Sequence, residues 1–230
     1  QLTLETGSSD AVVNYASGTG STTLTFTYTI SAGHTSSDLD YKATNSLALN
    51  SGSINDLAGN ASLLTLQSPG AAGSLGANKA IIVDTTAPTS PSIDIASGAT
   101  YTTSTTVALA LSAGGAATMR FKNDSGSYGS PVSYSTSHSH TLANTQGLRT
   151  VTVEFTDAAG NTSTASDTIT LDSAPAKVAN VTSSTANGSY NAADVISIQV
   201  VFNETVNVTG TPQLTLETGS SDAVVNYASG

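Results

Sequence analysis

The 230-residue chain has no cysteine, no tryptophan, one methionine and only six lysines and arginines. Without cysteine there is no disulfide framework, no thiolate nucleophile and no cysteine-ligated zinc. Six cations against sixteen carboxylates leave a net charge of −10. That balance excludes the clustered Lys and Arg that nucleic acid or an anionic membrane surface requires. No apolar run is long enough to span a bilayer, and no lipidation motif or signal peptide is present, so membrane insertion is not expected. Catalytic constellations are missing as well. No G-x-S-x-G elbow or Ser, His and Asp set stands out, and Gly-rich residues 68–79 lack the G-K-[ST] ending of a phosphate loop. An enzyme is therefore not expected, and residues 68–79 read as a bulging connection.

What is present is a repeat. Residues 1–18 read QLTLETGSSDAVVNYASG, and residues 213–230 read the same without a difference, at an offset of 212 residues. A pleated strand pair tolerates many residues on its solvent face, so perfect identity points to recent duplication in a tandem array. A period near 200 residues is too long for one solenoid turn and implies that the repeating unit contains whole domains.

Within the period almost every informative run alternates. Leu24, Phe26, Tyr28 and Ile30 fall on one face of residues 22–30, and Thr23, Thr25, Thr27 and Thr29 fall on the other. Residues 1–6, 45–50, 150–156 and 195–202 alternate likewise, and no helical period is sustained. The fold class is accordingly all-β. The Thr row invites comparison with an ice-binding array, but sandwich strands twist and Thr is the natural polar residue of an exposed strand. Two parallel marks divide the period: IIVDTTAP at 81–88 and ITLDSAP at 169–175, each a last strand followed by Asp, small polar residues and a Pro that stops the ladder. Upstream of each sits a matching turn, DLAGN at 56–60 and DAAGN at 157–161. The expected organisation is a domain A lacking its first strands at 1–87, a whole domain B at 88–177, and the start of the next domain A at 178–230. In an array, a preceding copy of residues 178–212 would complete residues 1–87.

The segments YNAADVISIQVVFNETVNVTGTPQLTLETG, TLTFTYTISAG, DLAGN with DTTAP, and TVTVEFTDAAGNTS resemble the bacterial immunoglobulin-like repeats of very large, type I-secreted, RTX-like adhesins. The resemblance covers essentially the whole chain. It implies tandem immunoglobulin-like antiparallel β-sandwiches set end to end, at the bacterial cell surface or released from it. It also implies binding modules elsewhere in the polypeptide, and calcium at or near domain junctions.

In such a sandwich the hairpin before the last strand lies at the pole that receives the incoming linker. Asp157 and Asn161 should then face Asp84, and carboxylate and carbonyl oxygens converging there would suit Ca2+. At the other junction Asp172 would meet the following copy's equivalent of Asp56. D-x-x-G-N is equally a good tight turn, with Asp bonding the backbone and Gly accepting positive φ, so both readings stand. Asp38 and Asp40 read as a solvated strand edge, with a cation site as the minority view, and Glu5 and Glu204 as surface. His138 and His140 share a strand face but lack a third ligand and read as surface histidines. His34 stands alone in a loop, and Asn180, Asn203 and Asn207 begin chance sequons.

Three functions follow. The first is a rigid spacer in an extracellular fibre, whose partners are neighbouring copies. The second is a self-assembling filament or sheath subunit joined by strand complementation. The third is a binder of host or prey surface glycans or of proteins, through loops around Tyr128 and Tyr134. The Thr, Ser and Asn faces lead us to expect no large exposed apolar patch.

Overall fold

The computed structural model describes residues 1–228; Ser229 and Gly230, the last two residues of the second copy of the repeat, lie outside the described residues. The chain is nearly all β and divides into two units, residues 1–172 and 173–230.

In the first unit, residues 1–87 form four short strands, β1 (Leu2–Leu4), β2 (Ala11–Val13), β3 (Tyr15–Ser17) and β4 (Thr25–Phe26), and a one-turn helix, α1 (Leu75–Asn78). β1 and β2 pair antiparallel, with Leu2 opposite Val13 and Leu4 opposite Ala11; β3 pairs with β4. Single bridges join the rest: Leu2 to Leu47, Leu4 to Tyr41, Ser36 to Val83 and Asn55 to Ala61. Leu4, Ala11, Val13, Leu39, Tyr41 and Val83 are buried together, with Leu2, Phe26, Tyr28, Leu66 and Leu75 half-covered around them.

The remainder of the unit is a two-sheet sandwich. Its strands are β5 (Thr89–Ile95), β6 (Tyr101–Thr102), β7 (Thr106–Gly114), β8 (Thr118–Asn123), β9 (Val132–Ser133), β10 (Ser137–Thr141), β11 (Gly147–Thr156) and β12 (Thr162–Leu171). One sheet runs β5-β7-β10 and the other β6-β12-β11-β8-β9, with only the short β6–β12 pairing parallel. Period-two patterning places Val107, Leu109, Leu111 and Ala113 of β7 inward, against Met119, Phe121, Val151, Val153, Phe155 and Ile169 of the facing sheet. Val151, Val153 and Phe155 have no exposed surface, and each such burial stabilises by roughly 1.5–3 kcal/mol.

The second unit contains β13 (Val178–Ser183) paired with β14 (Ile198–Phe202), and β15 (Gln213–Leu216) paired with β16 (Ala223–Asn226).

Long alternating runs thus become long strands only inside the sandwich. Of residues 22–30 only Thr25 and Phe26 join a ladder, and of 195–202 only residues 198–202 do. The alternation is still expressed in burial, since Phe26 and Tyr28 are half-covered while Thr25 and Thr27 are exposed. Extended backbone needs a neighbour to bond to before it registers as a strand. Exposed apolar side chains are unevenly spread: Leu57, Leu63, Ile82, Val195 and Ile196 are all exposed, and in residues 88–172 only Tyr101, Val132 and Leu148 are exposed large apolar side chains among those described.

Candidate functional site

The junction between residues 1–87 and the sandwich is built from two contacts to the linker, one from the β11–β12 hairpin and one from the turn at 31–34. The β11–β12 hairpin holds a ten-residue register and turns through Asp157–Asn161, with Gly160 at φ +96°. That φ is open to Gly because it has no Cβ. Asp157 Oδ1 accepts N–H bonds from Ala159 and Asn161, both at 2.9 Å, and Oδ2 accepts from Asn161 Nδ2 at 2.9 Å. The remaining Nδ2 proton of Asn161 goes to the carbonyl of Asp84 at 3.0 Å. On the other side of the linker, Thr85 Oγ1 donates to the His34 carbonyl and accepts from Gly33 N–H, both at 3.0 Å. Asp84 Oδ1 in turn accepts from Thr86 N–H at 2.9 Å. Successive linker residues are therefore bonded to the two bodies they join.

Burial by itself would raise the Asp157 carboxyl, but the donors from Asn161, Ala159 and Gly160 outweigh it and hold the group below the usual carboxylate range. Asp56 is similarly depressed, first by the Asn60 side chain. Its turn repeats the Asp157 turn bond for bond: Ala58 and Asn60 N–H reach Oδ1 at 2.9 and 2.8 Å, and Asn60 Nδ2 reaches Oδ2 at 2.8 Å. Gly59 takes φ +92°.

The structure therefore brings Asp84, Asp157 and Asn161 together as expected, but in an arrangement that suits a turn better than a cation cage. Asn161 presents its N–H, not its oxygen, to Asp84, and three N–H donors occupy the Asp157 oxygens. Calcium takes six to eight oxygens, and no group of three acidic, His or Cys side chains among the described residues is placed to hold a metal. The residues present do not fit calcium as they stand. Asp172 donates its N–H to Thr102 at 2.9 Å, pinning the last strand to β6; its expected partner belongs to a following copy.

Other candidates fall out differently. Asp38 is exposed, whereas Asp40 is 8% exposed and accepts N–H bonds from Gly70 at 3.0 Å, Tyr41 at 2.9 Å and Leu75 at 3.2 Å. Burial opposes its charge, yet the Gly70, Tyr41 and Gly76 backbone bonds and the Ser74 hydroxyl prevail and lower its pKa. Asp40 is thus the anchor of the Gly-rich loop, not part of a solvated edge. A Cβ on Gly76 would meet Asp40 Oδ2 at 3.1 Å and Asp38 Oδ2 at 3.3 Å, so a side chain there would push the carboxylates aside by a few tenths of an ångström. The repeated small residues of 68–79 were a signal of close packing.

His138 and His140 share a face as expected, but that face is half-buried. His138 stacks on Phe121 with centroids 4.5 Å apart, and His140 Nε2 meets Asn123 Oδ1 at 2.9 Å. Burial, then the neighbouring His138, lowers the His140 pKa. His34 is not alone: its Nδ1 lies 2.8 Å from the Tyr28 hydroxyl. Glu5 is exposed as expected, and Glu204 is half-buried instead. Tyr134 packs edge-on against Phe155 and its hydroxyl accepts from Ala113 N–H at 3.2 Å, a structural role. Tyr128 lies beneath Arg120 and Lys122, at 4.9 and 5.1 Å from its ring centre. No protein-family model, curated protein or solved structure matches the chain.

Proposed function

We propose that the chain is one period of an extracellular bacterial fibre or adhesin, built from immunoglobulin-like sandwiches, whose work is to set length and stiffness. One observation carries this reading: an 18-residue sequence recurs unchanged, and both copies fold into the same hairpin register, Leu2 opposite Val13 and Leu214 opposite Val225. Strand order supports the sandwich class. β5, β7 and β10 occupy the places of strands A, B and E, and β9, β8, β11 and β12 those of C′, C, F and G. The linker supports stiffness, since Asp84 and Thr85 are each hydrogen-bonded to an adjoining body. We read that junction as a metal-free clamp, and Asp56–Asn60 as the matching clamp for the linker of a preceding copy.

X-ray scattering of a one-period and a two-period chain tests the spacer. Two sandwiches per period, each with strands of about ten residues at ~3.3 Å per residue, should lengthen the particle by about 80 Å. Growth of under about 40 Å would mean that the periods fold back on one another, and the spacer reading would fall.

A further inference from the structure

We propose that the β13–β14 pair is the lid of the half-built core in residues 1–87, and that the lid for any copy of those residues comes from the preceding copy of the same chain. This rests on the periodic reading above and adds to it a partner and a surface.

The complete sandwich supplies the template. There, β5 and β7 pair with Ile93 opposite Leu111 and Ile95 opposite Leu109, and their shared apolar face closes the core over β8, β11 and β12. β13 and β14 pair in the same way, with Val181 opposite Val200 and Ser183 opposite Ile198. Position by position, Leu109, Leu111 and Ala113 correspond to Ile198, Val200 and Phe202, and each set lies on one face of its strand, while Ile196, two residues before β14, matches Val107 by spacing alone. The two pairs even follow equivalent linkers, Ala87-Pro88 and Ala174-Pro175.

Their surroundings differ. Leu109 is 2% exposed and Leu111 5%, whereas Val200 is 40% exposed, Phe202 37% and Val181 53%. Residues 1–87 present the converse: a small buried cluster around Leu4, Tyr41 and Val83, whose flanking Phe26 and Tyr28 are only half-covered, with Ile30, Leu49 and Ile82 exposed.

Sequence continuity names the occupant. Residues 178–212 run directly into the second copy of the β1–β2 hairpin, so in a periodic chain the same segment runs directly into the first. A lid arriving from the preceding period is therefore covalently adjacent to the core it covers. Each domain A then spans the boundary between successive copies, and no period is self-sufficient.

Hydrogen exchange read by mass spectrometry tests this on a two-period chain, residues 1–212 followed by 1–230, at about 1 µM to suppress association between molecules. The peptide covering residues 22–30 occurs twice with one sequence. Its first copy has no preceding lid and its second has one, so the isotope envelope should split into an open and a protected half of equal size. Changing Val200 and Phe202 to Asp in the first period alone should merge the halves into one open envelope. A single envelope from the unmutated chain, open or protected, overturns the proposal. A splitting that survives both substitutions overturns it too. The spacer reading fails separately, on the scattering increment, and can stand even if the envelope does not split.

Discussion

The same eighteen residues occur at both ends of this chain, and comparing them separates what a sequence does locally from what its neighbours do to it. The local bonds are duplicated. Gln1 Nε2 reaches Asn14 Oδ1 at 3.1 Å and Gln213 Nε2 reaches Asn226 Oδ1 at 2.9 Å. Glu5 and Glu217 accept from the glycine two residues on at 3.1 and 2.8 Å, and Thr6 and Thr218 donate to the serine carbonyl three residues on at 2.6 and 2.7 Å. The burial is not duplicated. Val13 is 7% exposed and Val225 37%, while Thr6 is fully buried and Thr218 exposed. The hairpin is thus specified by its own side chains, and the core face of the first copy is completed by Leu39, Tyr41 and Val83. A two-stranded hairpin alone is marginal in water.

The largest effect should come from truncating the two copies at the same place. Leu4→Ala removes a 4%-exposed side chain from a packed cluster and should cost about 2–4 kcal/mol. Leu216→Ala changes the identical hairpin where the side chain is only half-buried, and should cost less, under about 1 kcal/mol. Urea denaturation followed by one probe in residues 1–172 for Leu4→Ala and a second in residues 173–228 for Leu216→Ala checks both. Equal losses would mean that the second hairpin is buried against something in solution, and the comparison would break.

The features legible in the sequence were those that depend on neighbours in the chain. The repeat, the all-β class, the two D-x-x-G-N turns and the approach of Asn161 to Asp84 follow from alternation, turn chemistry and the fixed pole of a β hairpin. What was not legible depends on packing between distant segments. Asp38 and Asp40 look equivalent two residues apart, yet only Asp40 meets the Gly70 and Leu75 amides, about thirty residues downstream. The histidines of β10 read as polar, and their burial against Phe121 appears only once the two sheets face one another. Residues 22–30 carry a full strand pattern, but a pattern states which face is apolar and not whether a partner strand is at hand.

The two turns sharpen the comparison at the next level of energy. Asn161→Ala removes both the turn bond to Asp157 and the linker bond to Asp84, and should cost about 1–2 kcal/mol. Asn60→Ala removes only the turn bond in a one-period chain and should cost about half as much. Thermal unfolding of the two variants, each with calcium and with chelator, measures the difference. Unchanged midpoints of the parent protein in the two buffers are expected from a clamp closed by protein donors. A midpoint that rises with calcium and loses that rise in Asp84→Ala would restore the metal.

A smaller and more local change should make the first hairpin behave like the second. Asp40 holds residues 68–79 over the core that covers β1 and β2, through bonds that favour its charged form. Its carboxyl titrates below the ordinary value of about 3.9, so its contribution is complete above that pH and is lost as pH falls through the lower, folded-state value. Acid should therefore release the Gly70 and Leu75 amides as Asp40 takes up its proton. Methyl resonances of Leu4 and Leu216 would then converge as pH is lowered below about 4. The Asp40→Asn variant should show them already closer at neutral pH, since an amide cannot accept the same set of charged bonds. If Leu4 keeps its shift in that variant, the loop is held by α1 packing through Leu75 and the carboxylate is incidental.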